Sequence, residues 1–315
     1  MKTYDFVVCG HVVMNQLLKV KAMPRPGITS YVTNGDFEEL FFGGNGLNIS
    51  YCLAKLGCRV LPVLSHVVAD RKAELERMLG EVGAPACALR DPQPGAYGLT
   101  VMVQDESGEH MTLVCRRSVE GSPPRRPMPP KYFLDAEMAV LCVAHPDDVV
   151  LFLESVKRFG TPLAFSMRAD TKVFPPAVLR EILLEAKIIF ANEEERAFIE
   201  RSMGYGSVLE LMDAGKAEII VVTLGERGSV VYAKADGNAG MTVEATRPPK
   251  VVDATGAGDA YVAGFLYGYC GGMDLRTCAE YGGTMASFII EKDGCLTNVP
   301  SREDMLARNA SRSGI

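Results

Sequence analysis

Residues 251–260 read Val-Val-Asp-Ala-Thr-Gly-Ala-Gly-Asp-Ala. Two β-branched residues run into an acid, small residues follow, and a second acid precedes a resumed apolar pattern. The order predicts a strand ending at Val252, a tight turn, and a helix starting near Asp259. Such a junction aims the unpaired N–H groups of a helix N-terminus, and the positive end of its dipole, at one point where an anion fits. Glycines at 256 and 258 let backbone approach that anion without a Cβ clash. A carboxylate there would repel a bound phosphate. Asp259 fits better as a base that takes a proton from an attacking hydroxyl, while the N–H groups stabilise charge on a transferring phosphoryl group. A plainer reading stays open at this point: Asp259 caps a helix, and the glycines make the turn.

The surrounding chain supplies a frame for that junction. Short apolar runs at residues 6–9, 60–64, 138–143, 163–165, 188–190 and 219–224 read as strands buried on both faces. Amphipathic segments at 48–56, 70–82, 147–159, 177–186 and 193–202 read as helices between them. Alternation of this kind predicts right-handed crossovers and a mostly parallel sheet. Residues 30–42 and 98–117 break the rhythm and read as extended strands of a small β appendage, the second a hairpin turning at 106–108. A proline-rich connector, 122–130, returns the chain to the main sheet.

Bulk properties narrow the function classes. With 315 residues, the chain is long enough for one large α/β domain with an appendage. A net charge of −6 argues against a nucleic-acid partner. No apolar stretch approaches the roughly 18–20 residues that span a bilayer. The N-terminus enters a strand-like run at once, so no signal peptide is expected. Nine cysteines stand singly, at spacings that suit neither a zinc site nor a disulfide framework, and a reducing cytoplasm is the expected compartment.

Gly256 to Phe265, GAGDAYVAGF, closely resembles the signature of the PfkB/ribokinase family of carbohydrate and nucleoside kinases. Three further segments resemble family motifs in order. These are GGNGLN at 43–48 followed by AKLG at 54–57, NEEE at 192–195, and TLGERG at 223–228. The resemblance covers about residues 10–300. It implies a Rossmann-like three-layer α/β/α fold with a β-sheet lid, the lid strands lying at about 30–42 and 98–117 of a single 1–315 domain. It implies that Asp259 is the catalytic base, and that the N–H groups of Gly256, Ala257 and Gly258 form the anion hole. Asn192 and Glu195 would organise water-bound Mg²⁺ and the ATP phosphates, and Thr223, Gly225 and Gly228 would lie against the nucleotide. Gly44, Asn45 and Asn48 would hold substrate hydroxyls. Asp253 and Thr255 match positions that hold a monovalent cation, potassium, in relatives. The implied partners are a small sugar first and a nucleoside second, with a homodimer formed through the lid.

Read without the family, the secondary motifs keep simpler meanings. GGNGLN is a glycine turn with Asn48 capping a helix, NEEE a strand end entering an acidic first turn, and TLGERG a hairpin turn. The substrate side also departs from the family pattern. Asn15 stands where an aspartate is expected, which loses a charge-assisted bond to hydroxyls. Of the D-x-N-x-R pattern only Arg168 is kept. His66 and His145 receive no role, and the pairs Arg116-Arg117 and Arg125-Arg126 read as surface charges. A different substrate accounts for these changes. So does a non-catalytic sugar- or nucleotide-binding regulator that keeps the fold.

Overall fold

The computed structural model describes residues 2–90, 97–107, 109–117 and 125–312. The chain begins with β1 (Tyr4–His11) and β2 (Val13–Val20), then β3 (Phe41–Gly43), α1 (Asn45–Lys55), β4 (Val60–Ser65) and α2 (Lys72–Glu81). A hairpin, β5 (Tyr97–Asp105) and β6 (His110–Arg117), precedes α3 (Lys131–Leu134) and β7 (Ala136–Leu141). Three alternating units follow: α4 (Pro146–Phe159), β8 (Leu163–Ser166), α5 (Pro176–Glu185), β9 (Ile188–Asn192), α6 (Glu193–Met203), α7 (Glu210–Ala214) and β10 (Ile219–Thr223). Then come β11 (Ser229–Ala233), β12 (Gly240–Val243), α8 (Ala257–Cys270), α9 (Leu275–Ile289) and α10 (Arg302–Arg312).

Eight strands form the main sheet in the order β12-β11-β10-β9-β8-β7-β1-β4, all running one way except β11, which pairs antiparallel with both its neighbours. Continuous apolar strands need a helical layer on each face, and both are present. Along β1, Phe6 and Val8 enter a core shared with α1, α8 and α9, while Val7 and Cys9 enter one shared with α4 and α5. From β1 the chain moves outward to β4, then returns to β7 on the other flank. That reversal opens a crevice at the carboxyl ends of β1 and β7, the usual ligand position of such sheets.

The second sheet has four strands, in the order β3-β2-β5-β6. Its hairpin lies where the sequence reading placed it, although Gly108 of the turn and residues 122–124 of the connector are outside the described residues. The other strand differs. Residues 13–20, given no element from sequence, form a strand paired to both β3 and β5, whereas 30–42 contributes little beyond an isolated bridge at Val32 and the start of β3. The Asn34-Gly35-Asp36 turn explains this. The Asn34 side chain, rather than a ladder, binds β2, accepting from Lys19 N and donating to Leu17 O. The expected strand at 251–252 is also absent. Pro248 and Pro249 precede it and cannot donate to a ladder, and Val252 N–H bonds Ile290 O at the end of α9.

Strand β1 and helix α1 approach each other closely through two glycines. A Cβ placed on Gly46 would fall 2.4 Å from Gly10 Cα, and one on Gly10 would fall 2.3 Å from Gly46 Cα. Gly46→Ala should therefore cost about 3 kcal/mol, since backbone on both sides cannot yield. Gly80→Ala on α2 meets nothing within 4 Å and should gain about 0.5–1 kcal/mol. Urea denaturation midpoints of the two variants check both signs.

Candidate active site

A cleft of about 1100 Å³ lies between the two sheets, over the carboxyl ends of the main strands. Its floor is the N-terminus of α8. This helix starts at Ala257, two residues before the position expected from sequence, so Asp259 is its third residue. Gly256 caps it at φ 82, and a Cβ there would meet Cys295 Cβ at 2.9 Å. Above Gly258 there is nothing within 4 Å of a Cβ position, so that stretch of the first turn opens to the cleft. Ala257 donates its N–H back to Ala254 O at 3.2 Å and does not line the cleft, while Gly256 and Gly258 do.

Asp259 is buried, and Asn48 Nδ2 donates to its Oδ2 at 2.7 Å. Burial raises the Asp259 carboxyl above its ordinary range, opposed by the positive charge of Arg168 and by the Asn48 amide. Helix α1 begins at Asn45, not at Asn48, because Gly44 at φ 103 takes the cap position. Asn48 therefore sits one turn inside the helix, on the face that meets α8. Asn45 Nδ2 and Asn48 Oδ1 are buried and have no hydrogen-bond partner. Both residues line the cleft, so one amide presents an open donor and the other an open acceptor.

The turn before α8 is held by Asp253. Its Oδ1 accepts from Thr255 N at 2.9 Å and from Thr255 Oγ1 at 2.5 Å, and its Oδ2 accepts from Gly294 N at 3.0 Å. Both carboxylate oxygens are thus engaged by the chain itself. Asn192 and Glu195 form a capping box at the start of α6: Asn192 Oδ1 accepts from Glu195 N at 2.8 Å, and Glu195 Oε2 accepts from Asn192 N at 2.9 Å. Burial raises the Glu195 carboxyl; the capping bond and Arg168 oppose this, and Asp259 adds to it. Arg168 Nη1 lies 3.7 Å from Glu195 Oε1, so one guanidinium serves two buried carboxylates.

Thr223 and Gly225 line the cleft at the β10–β11 turn, as do Asn192, Arg168, Asn15 and Gly44. Gly228 does not. Its φ of 89, and a Cβ position 2.0 Å from Val243 O, give it a structural role in the turn.

Several residues here escaped the sequence reading. Cys295 lines the cleft beneath Gly256, and Asn15 Nδ2 lies 3.7 Å from its sulfur. From the small sheet, Gln104 Nε2 donates to Val252 O at 3.3 Å, and Lys19 pairs with Asp293 at 2.8 Å. None belongs to a local motif, so only the fold could assemble them. Arg125 also differs from expectation. Its side chain is 8% exposed and faces the buried Asp148 at 3.8 Å, beside Arg90 at 2.8 Å from the same carboxylate. His145 caps α4, its Nδ1 accepting from Asp147 N.

With this geometry in place, comparison with known proteins is informative. The pfkB family carbohydrate kinase model matches residues 5–302. A nucleoside kinase of Methanocaldococcus jannaschii is 27% identical over 308 residues, covering 95% of this chain and 94% of the relative. The structure of Burkholderia thailandensis nucleoside kinase in complex with inosine superposes with a TM-score of 0.81 at 21% identity, covering 98% of this chain and 97% of that one. Arabidopsis thaliana ribokinase complexed with ribose and ATP gives 0.74 at 20% identity, with 98% and 99% covered.

A carboxyl group raised by burial destabilises the fold where it is charged. Asp259→Asn should therefore stabilise the ligand-free protein at pH 8. The gain should shrink as pH falls through the raised native pKa and vanish below the ordinary carboxylate range, where both forms are neutral. Thermal unfolding of both proteins across pH measures this. A gain that grew towards acid would contradict the assignment.

Proposed function

This chain belongs to the pfkB family of carbohydrate kinases and is an ATP-dependent kinase, and on that premise we propose that it phosphorylates a hydroxyl on the sugar ring of a nucleoside, with Asp259 as the base. The observation that carries the reading is the buried Asp259 carboxylate, held by Asn48 at the foot of a helix N-terminus that opens into the cleft. In this reading the acceptor hydroxyl sits against Asn45 and Asn48, whose unpaired donor and acceptor atoms suit a hydroxyl group. Asp259 takes its proton, and the first-turn N–H groups at Gly256 and Gly258 face the charge developing on the transferring group. The triphosphate runs past Asn192, Thr223 and Gly225. Arg168, about half exposed beside the two carboxylates, adds positive charge where the phosphates would pass.

Glu195 would hold Mg²⁺ through water: its Oε2 is taken by the cap, while its Oε1 has only Arg168 beside it, at 3.7 Å. Bound there, the ion would neutralise phosphate charge. Asp253 and Thr255 already bind each other and Gly294, and the reading assigns a monovalent cation no step. The small sheet acts as the lid, excluding water on closure. A homodimer would form through this sheet, where Tyr31, Val32 and Leu113 are exposed apolar side chains. No helix among the described residues is long and apolar enough to cross a membrane.

A nucleoside is placed ahead of a free sugar because two relatives matched along nearly their whole length are nucleoside kinases. The 5-dehydro-2-deoxygluconokinase of Bacillus thuringiensis matches over only 55% of this chain. A free sugar is the second reading.

ADP release should accompany addition of a nucleoside, tested with cytidine, inosine and adenosine, and be slower with the free sugar ribose; faster turnover of ribose would favour the second reading. Asp259→Asn should lose about 10²- to 10⁴-fold in kcat while ATP binding persists. The acid limb of kcat/KM should lie above the ordinary carboxylate range, since activity requires the ionised form of a raised carboxyl. ADP release unaffected by the substitution would remove Asp259 from the chemistry. Ligand binding without turnover on the whole panel would favour a regulator.

A further inference from the structure

Cys295 follows α9 and shares no motif with the other cleft residues, yet it stands between the two halves of the site. On one side its Cβ position limits Gly256, the cap of α8. On the other, its sulfur lies 3.7 Å from Asn15 Nδ2, on a strand of the small sheet 280 residues away in sequence. It is 4% exposed. Burial, then Asp259 and Asp253, push its thiol up to about 12 against a side-chain hydrogen bond with Asn48, so the sulfur stays protonated and uncharged between the amides of Asn15 and Asn48.

The Nδ2 end of Asn15 is confined on a second side. A Cβ on Gly43 would lie 2.1 Å from it, so the amide rests against a position that only glycine leaves open. Val13–Gly43 and Asn15–Phe41 are paired in the β2–β3 ladder, which fixes the backbone beneath this contact. With Nδ2 held between Gly43 and the sulfur, Oδ1 is the end left to face the cleft that Asn15 lines. Two other atoms in this cleft point to a ligand there, the unpaired and buried Asn45 Nδ2 and Asn48 Oδ1.

We infer that Cys295 is a positioning residue for the acceptor: its sulfur accepts from Asn15 Nδ2 and so turns Asn15 Oδ1 towards the acceptor's hydroxyl groups. The inference rests on the reading of this cleft as a kinase acceptor site. The pocket then receives a hydroxyl donor on a neutral amide oxygen, and a small, neutral, weakly accepting side chain is what position 295 requires. A carboxylate at 295 would add a third acid beside Asp253 and Asp259, and a larger apolar side chain would press on Gly256.

The test compares Cys295→Ala, Cys295→Ser, Asn15→Ala and the double variant Asn15→Ala/Cys295→Ala, each first checked for an intact thermal transition. With whichever of cytidine, inosine, adenosine or ribose the native protein phosphorylates fastest, Cys295→Ala should raise the acceptor KM about tenfold, the size of one neutral hydrogen bond. The KM for ATP and kcat at saturating acceptor should stay within about twofold. Cys295→Ser should restore most of the loss, since its hydroxyl can accept the same bond, and the double variant should be no worse than Asn15→Ala alone. A second readout needs no acceptor. In protein labelled with ¹⁵N at asparagine side chains, the Asn15 amide protons should exchange faster with water in Cys295→Ala than in Cys295→Ser. An unchanged acceptor KM, an equal rise in ATP KM, additive losses or unchanged Asn15 exchange would each overturn the assignment. Absence of turnover by the native protein would sink the kinase acceptor reading instead, and the exchange measurement would still decide whether the thiol holds Asn15.

Discussion

One carboxylate, Asp259, has been taken out of water at the foot of a helix, and much of the cleft's construction follows from keeping it there. An ionised carboxyl cannot be buried without partners. Here the partners come from three directions: the N-terminus of its own helix, the amide of Asn48 on α1, and Arg168 after β8. The 2.7 Å contact with Asn48 is possible only if α1 lies close against the sheet. That closeness is set by Gly10 and Gly46, whose backbones meet where any side chain would separate them. A packing constraint between two glycines thus fixes a hydrogen bond to an acid far along the chain.

The loops around this acid are joined in the same manner. Asp253 binds Thr255 within its own turn and Gly294 in the loop after α9, so the two loops move as one. The small sheet touches both, through Gln104 to Val252 and through Lys19 to Asp293. Each contact is modest, and the half-buried Lys19 pair contributes little by itself. Together they make the position of the small sheet and the position of the α8 turn interdependent, which is what a cover over a reacting centre requires.

The sequence was legible wherever a local rule applied. Buried strands announced themselves as unbroken apolar runs, and the GAGD turn as small residues before an acid, because both signals lie within a few neighbouring residues. The capping reading of Asn192 and Glu195 was visible for the same reason, and for Asn192 it coexists with a place in the cleft lining. Legibility failed where tertiary pairing overrode propensity. Residues 13–20 contain Leu17, Leu18 and Lys19, which favour helix, yet they become a strand because β3 and β5 flank them. Residues 30–42 look extended, but the Asn34 side chain, which also donates to Asp36, takes the backbone groups of Lys19 and Leu17 in place of a strand ladder. Cys295, Gln104 and Asp293 could not be found at all, since nothing in their own neighbourhoods marks them; they matter through what folds against them.

The arrangement of charge gives the burial of Asp259 a second meaning. A single guanidinium, Arg168, stands near both Asp259 and Glu195, and the charge of Asp259 disfavours ionisation of Glu195. That is a poor bargain for stability. On the reading proposed above it is a useful one for chemistry, because a carboxyl at its ordinary value is too weak a base to draw a proton from an alcohol, and every upward step improves it. Bringing in a cation with the triphosphate would lower the penalty between the two acids, while an acceptor seated on Asn45 and Asn48 would displace water from around Asp259. The same lack of solvent that makes the ligand-free site costly would then leave the ionised carboxylate with one principal partner, the hydroxyl it is placed to deprotonate.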